Sequence, residues 1–178
     1  MTSGGTRLSR KGITVRDNHE ELLAWNPALL ARLFWHLARK YGDAAAGRAP
    51  PLPVFLVGAG MIFHRETVDK IHRMQFDSRF LKVISERPDL LGGLQARIES
   101  AAMPALLALQ LGASSLLLQR DGGDGFPTFR ALGGVDLPLA IREVEAPLAP
   151  MVGAAKRLGA WFALEPFENI QRQLTVEF

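Results

Sequence analysis

Apolar positions along most of the chain recur at steps of three and four, the mark of helices that bury one face. The clearest run lies near the C-terminus, where Leu148, Met151, Ala155, Leu158 and Phe162 share a face and Lys156 and Arg157 fall opposite. Pro147 and Pro150 suit the first turn of that helix, because an imide lacks an N–H which the first turn would leave unbonded. Pro166, with the extended preference it imposes on Glu165, predicts an end near Ala163. Gly153 and Gly159 inside the run point to close helix packing. Phe167, Ile170 and Leu174 then mark another short helix. Thr175 to Phe178 alternates like a strand, its final aromatic expected to be tucked in. The rest of the chain is expected to organise around Ala146 to Phe178.

Upstream, Met1 to Asp17 is rich in Gly, Ser, Thr and Arg and reads as a flexible arm, with Ile13 and Val15 candidates for an edge strand. Residues 18–178 read as a single globular domain. Asn18 or Asn26 can cap helices, and Pro27 starts one that reaches Tyr41, with Gly42 as its stop. Leu30, Leu33, Phe34, Leu37 and Tyr41 form its inward stripe. Trp35 lies on the other side with Arg32, His36 and Arg39. An aromatic among arginines on an outward face has the composition of an interaction hot spot. The alternative is cover by another element of the same chain, since indoles are highly buried on average. Trp35, Arg39 and, on the C-terminal helix, Trp161 are the candidate partner contacts.

Asp43 to Pro51 reads as a loop, and Val54 to Val57 as a buried strand. A short buried helix stays open there, because a continuous apolar run has no period to read. Arg65 to Met74 is amphipathic, with Val68 and Ile71 inward and Lys70 outward. Asp77 or Ser78 can cap a helix through Phe80, Leu81, Val83 and Ile84 that stops before Pro88. Leu90 to Ala101 continues as a second helix, and Pro104 opens a third through Leu111 with Gly112 behind it. Asp121-Gly122-Gly123-Asp124-Gly125 between Ser115–Arg120 and Phe126–Leu132 is hairpin chemistry. The fold class is therefore α+β and predominantly helical. Residues 78–132 form a winged-helix-like unit of three helices plus hairpin, packed with N-terminal and C-terminal helices.

Composition narrows the chemistry. With 178 residues and 48% hydrophobic content the chain can close one sizeable core. A net charge of +3 is a near-balance, so the high pI of 9.7 does not amount to a nucleic-acid-binding surface. The absence of cysteine excludes disulfides, thiolate metal sites and cysteine nucleophiles, and fits a reducing cytoplasm. Met1 to Val15 has no apolar signal core, and Leu52 to Phe63, interrupted by Pro53, Gly58 and Gly60, is too short to span a bilayer. No membrane is expected.

Catalytic and ligand motifs are missing in turn. Gly58-Ala59-Gly60 is a bare G-x-G without the third glycine or the Gly-Lys-Ser/Thr of a phosphate loop. His64 and His72 stand eight apart with Glu66 nearby, which is no metal spacing, and the aspartates of the hairpin turn lack a calcium-loop pattern. No Gly-x-Ser-x-Gly or His-Glu-x-x-His occurs, and the four histidines, His19, His36, His64 and His72, are dispersed. Glu66/Lys70 and Asp69/Arg73 read as surface pairs four residues apart. No catalytic, cofactor-binding or metal residue is assigned, and the reading is of a protein that is not an enzyme. A winged-helix DNA-binding regulator is the alternative. Its would-be recognition helix, Pro104 to Leu111, offers base edges only Gln110.

Asn26-Pro-Ala-Leu-Leu-Ala-Arg-Leu-Phe-Trp35, Lys40-Tyr41-Gly42, and Pro51 to Val57 leading to His64-Arg65-Glu66-Thr67 stand in a familiar order. Pro88-Asp-Leu-Leu-Gly-Gly-Leu94, Pro104 to Gly112, and Ala154-Ala-Lys-Arg-Leu-Gly-Ala-Trp-Phe162 complete it. Together they resemble the middle-component proteins of bacterial three-component ABC systems, over most of residues 22–178. The Leu-Gly-x-Trp-Phe group is the most telling piece. Glu165-Pro166-Phe167 and the Thr175 to Phe178 tail depart from the Gly/Ser link and final Leu-Gly of the pattern. The resemblance implies a small non-enzymatic adaptor without cofactor. It would connect an ATPase similar to the SMC/Rad50 class to an effector protein, in defence against phage and mobile elements. DNA contact would come only through that complex, and self-association into a homodimer stays open.

Overall fold

Helices α1 (His19–Ala24) and α2 (Pro27–Ala44) open the computed structural model, which describes residues 19–134, 143 and 145–178. The N-terminal arm, its edge strand and the Asn18 cap lie outside the described residues. Asn26 starts α2 as expected: its side chain accepts from the Leu29 N–H at 3.0 Å, with Pro27 in the first turn. Leu30, Leu33, Phe34, Leu37 and Tyr41 are all buried. So are Ala31, Trp35, His36 and Ala38. A helix buried on nearly every side is central, and α2 takes the place that the sequence suggested for the C-terminal stretch. It also runs past Gly42 to Ala44, and the left-handed Ala46 and Gly47 turn the chain beyond it.

Helix α3 (Leu52–Ile62) replaces the strand expected at Val54 to Val57. Nearly all of it is buried, so no polar face interrupts the apolar run to reveal a helical period. Its glycines serve close approach. A Cβ on Gly58 would meet Leu37 Cδ1 at 2.8 Å, and one on Gly60 would meet Ile98 Cγ1 at 2.6 Å. Gly58-Ala59-Gly60 is thus helix-packing surface and not an anion loop.

Helix α4 (Arg65–Ile71) is shorter than the expected span to Met74, and α5 (Phe80–Glu86) begins after Arg79, with neither Asp77 nor Ser78 as its cap. Lys70 pairs with Asp89 and Asp69 with Arg65, instead of the Glu66/Lys70 and Asp69/Arg73 pairs read from spacing. After a 3-10 turn at Pro88–Leu91, α6 (Leu94–Ser114) runs unbroken through Pro104. The two helices expected here are one. Pro104 removes one intrahelical bond, and tertiary packing of Ile98, Ala101, Ala105, Ala108 and Gly112 against the body of the protein holds the rod together. The region 78–132 therefore has two helices and a 3-10 turn before its hairpin, not three helices.

Strands β1 (Leu118–Asp121) and β2 (Thr128–Ala131) form the antiparallel hairpin, in register Leu118 to Ala131. Leu118 and Phe129 point into the core, where Phe129 meets Phe55 edge-on at 5.5 Å. A 3-10 turn at Ala146–Leu148 leads into α7 (Ala149–Ala163), and α8 (Phe167–Leu174) follows Pro166. The ending near Ala163 is as the proline predicted. Thr175 to Phe178 forms no strand: Thr175 is left-handed and caps α8, Val176 is buried, and Phe178 rests on Phe167 half-exposed. The helices and the hairpin share one cluster of buried apolar side chains. Predominantly helical α+β describes the result.

At the centre α2 and α7 lie against each other through Gly159. A Cβ there would stand 2.2 Å from the Leu37 carbonyl oxygen and 2.9 Å from its carbon, so the two backbones are already in contact.

Candidate functional site

The predicted partner contacts are placed by α2 and α7. Trp35 is buried, and its Nε1–H donates to the Leu132 carbonyl at 2.7 Å. The Arg32 guanidinium stacks over the same ring, 4.0 Å from its centroid. Trp161 is 0% exposed, donates Nε1–H to the Phe76 carbonyl at 3.1 Å and packs beside Phe80 and Phe162. Neither indole is presented to a partner. The outward reading of Trp35 assumed that α2 has one covered side, whereas the segment after β2 covers the other. Arg39 keeps access to solvent while donating to the Gly133 carbonyl at 3.1 Å and pairing with Asp43 at 3.7 Å. The structure does not bring the three together at one surface.

Beside Trp35 the fold assembles a polar cluster that no local motif announces. Glu145 lies 113 residues after Arg32 and accepts from its Nε at 2.6 Å. His36 Nε2–H donates to both Glu145 oxygens at 3.1 Å. Burial holds the His36 imidazole below its ordinary pKa, opposed by the hydrogen bond and charge of Glu145 and assisted by Arg32 and Lys156. Burial pushes the Glu145 carboxyl up, but hydrogen bonds and charge from Arg32 and His36 outweigh it and leave the group below its ordinary value. The cluster ties the chain after the hairpin to α2.

The remaining histidines are each committed elsewhere. His19 donates Nε2–H to the Ile62 carbonyl at 2.7 Å, and His72 donates Nδ1–H to the Val68 carbonyl at 3.2 Å. His64 bonds the Thr67 hydroxyl at 2.8 Å, and burial, then Arg97, lowers its pKa. Among the described residues no three His, Asp or Glu side chains gather as metal ligands. No helix among them is long and apolar enough to cross a membrane.

These shifts share a sign. A histidine whose folded pKa lies below 6.5 binds fewer protons folded than unfolded, so acidification through that region removes stability. Glu145, lowered from 4.5, contributes stability at higher pH that is lost as pH falls through its folded pKa. The urea midpoint is therefore expected to be highest above pH 6.5 and to fall steadily below it. His36→Gln is expected to flatten the upper part of that fall. A midpoint that rises on acidification from pH 7 to 5 contradicts this assignment.

Two surfaces stand out from the rest. The first is a groove of about 400 Å³ whose charged lining residues are Arg39, Asp43, Arg48 and Arg130. Arg130 donates to the Gly47 carbonyl at 2.6 Å and Arg48 to the Ala45 carbonyl at 3.3 Å, which positions both guanidiniums. The second is the outer side of α6, where Met103, Leu106, Leu107 and Leu111 are exposed. The sequence assigns the apolar Pro104 to Leu111 helix to a core or to another protein, but dividing α6 at Pro104 left these side chains unnamed as contacts. Their signal was available in the absence of any charge from Ser100 to Gln119.

A family model for the ABC-three component (ABC-3C) system Middle Component 3 matches residues 14–178. No curated protein and no solved structure matches the chain. With nearly its whole length matched, this chain belongs to the Middle Component 3 family of ABC-three component systems.

Proposed function

We propose that the protein is a non-enzymatic adaptor that links an SMC/Rad50-like ABC ATPase to an effector, in a cytoplasmic bacterial defence against phage and mobile elements. The observation that carries this reading is membership of a middle-component family in a multi-component ABC system. The geometry supports it: the four histidines are tied to separate structural partners, while charge and apolar side chains are displayed at two surfaces. Arg39, with Arg48 and Arg130 around the same groove, offers an acidic partner surface three guanidiniums that could form charge-assisted hydrogen bonds. Trp35 holds the Leu132 carbonyl, two residues beyond Arg130.

A winged-helix regulator is less well supported. The segment that would read DNA is the second half of α6, whose outer side carries leucines and a methionine where phosphate contacts need cations. The test is co-expression with the ATPase and effector encoded beside it. Both are expected to co-purify with this chain, and recovery of neither overturns the proposal.

A further inference from the structure

We infer that the outer face of α6 is the seat of a twofold homodimer. Ala96, Ser100, Met103, Leu107, Leu111 and Ser114 follow one another at three- and four-residue steps, with Gln110 beside Leu111, and all are exposed. Met103 is 65% exposed, Leu106 43%, Leu107 52% and Leu111 38%. No described residue covers them. Just past the helix, Leu116 closes a Schellman turn: its own N–H bonds the Ala113 carbonyl at 3.3 Å and that of Leu117 bonds Gly112 at 2.9 Å. The position needs a positive φ, here 58°, which favours glycine, yet it holds a leucine that is 76% exposed. A bulky apolar side chain kept at such a site extends the greasy face by one more contact.

The choice of a second copy rests on charge and area. A twofold interface sets a patch against itself, so any charge near the axis meets its own copy. From Ser100 to Gln119 the chain has none. An antiparallel α6 pair centred on Leu107 brings Met103 onto the partner's Leu111. The five exposed apolar side chains amount to roughly 500 Å² per copy, about 1,000 Å² for the pair, which reaches the lower size of a specific interface. Ser100, opposite the partner's Ser114, is small enough to let the helices approach. Residues 1–18, with Arg7, Arg10, Lys11 and Arg16, are a poor match to such a surface.

The test uses the full chain alone, so its failure leaves the adaptor reading intact, and failure of the adaptor reading leaves the dimer intact. Sedimentation over a concentration series is expected to give twice the 19.5 kDa chain mass. Leu107→Arg is expected to give the monomer with the same circular dichroism and melting temperature. Because the chain has no cysteine, Leu107→Cys cross-links only to its own copy, and it is expected to form a disulfide dimer on oxidation while Leu164→Cys, exposed on another element, does not. The cysteine pair decides the matter even if the arginine variant fails to fold. A wild-type chain that stays monomeric at every concentration overturns the inference, whether its own termini or another protein takes the face. So does a dimer that survives Leu107→Arg, or a Leu107→Cys chain that does not cross-link.

Discussion

Replacing Trp161 with alanine is expected to lower the unfolding free energy by about 4 kcal/mol, within the range for truncating a buried aromatic. The indole is fully buried, lies 6.5 Å from the Phe80 ring and shares a core layer with Phe162, itself edge-on to Phe80 at 4.9 Å. Alanine leaves a cavity between α5 and α7 and removes the donor that satisfies the Phe76 carbonyl. Trp161→Phe keeps most of the packing and is expected to cost roughly half as much. Urea unfolding followed by circular dichroism measures both. A loss below about 1 kcal/mol for the alanine variant is what an exposed contact residue gives, and would return Trp161 to the surface.

Gly159→Ala is expected to destabilise by about 3 kcal/mol, at the top of the range for overpacking, although alanine is the better helix former. Its methyl has nowhere to go, because the nearest atoms are the Leu37 backbone and a whole helix must move to relieve them. Gly153 in the same helix provides the contrast. A Cβ there meets the end of the Arg157 side chain at 3.2 Å and His72 Cβ at 3.4 Å, groups that yield more easily than a backbone. The roughly 1 kcal/mol of helix propensity then decides, and Gly153→Ala is expected to be neutral or stabilising. Equal effects at the two positions, read from the same unfolding curves, would contradict the close approach of α2 and α7.

Where the signal is local, the sequence was legible. The Asn26-Pro27 start of α2, the stop of α7 ahead of Pro166 and the glycine-rich hairpin turn all depend on contacts within a few residues. Reading failed where neighbours far along the chain decide. An apolar run such as Leu52 to Ile62 has no polar side to betray its period, and only the surrounding helices make it a helix. Pro104 signals a helix start locally, but packing of the small residues before and after it carries α6 straight through. Trp35 looked outward because a helical wheel knows one partner, while α2 has partners nearly all round. The Arg32, His36 and Glu145 cluster spans more than a hundred residues of chain, and nothing in its spacing could announce it.

The decisive measurement is a pull-down with three purified proteins: the neighbouring ATPase, tagged, the effector, and this chain. With all three present the ATPase is expected to retain the effector, and omitting this chain is expected to release it. Retention of the effector without this chain, or release with it present, contradicts an adaptor.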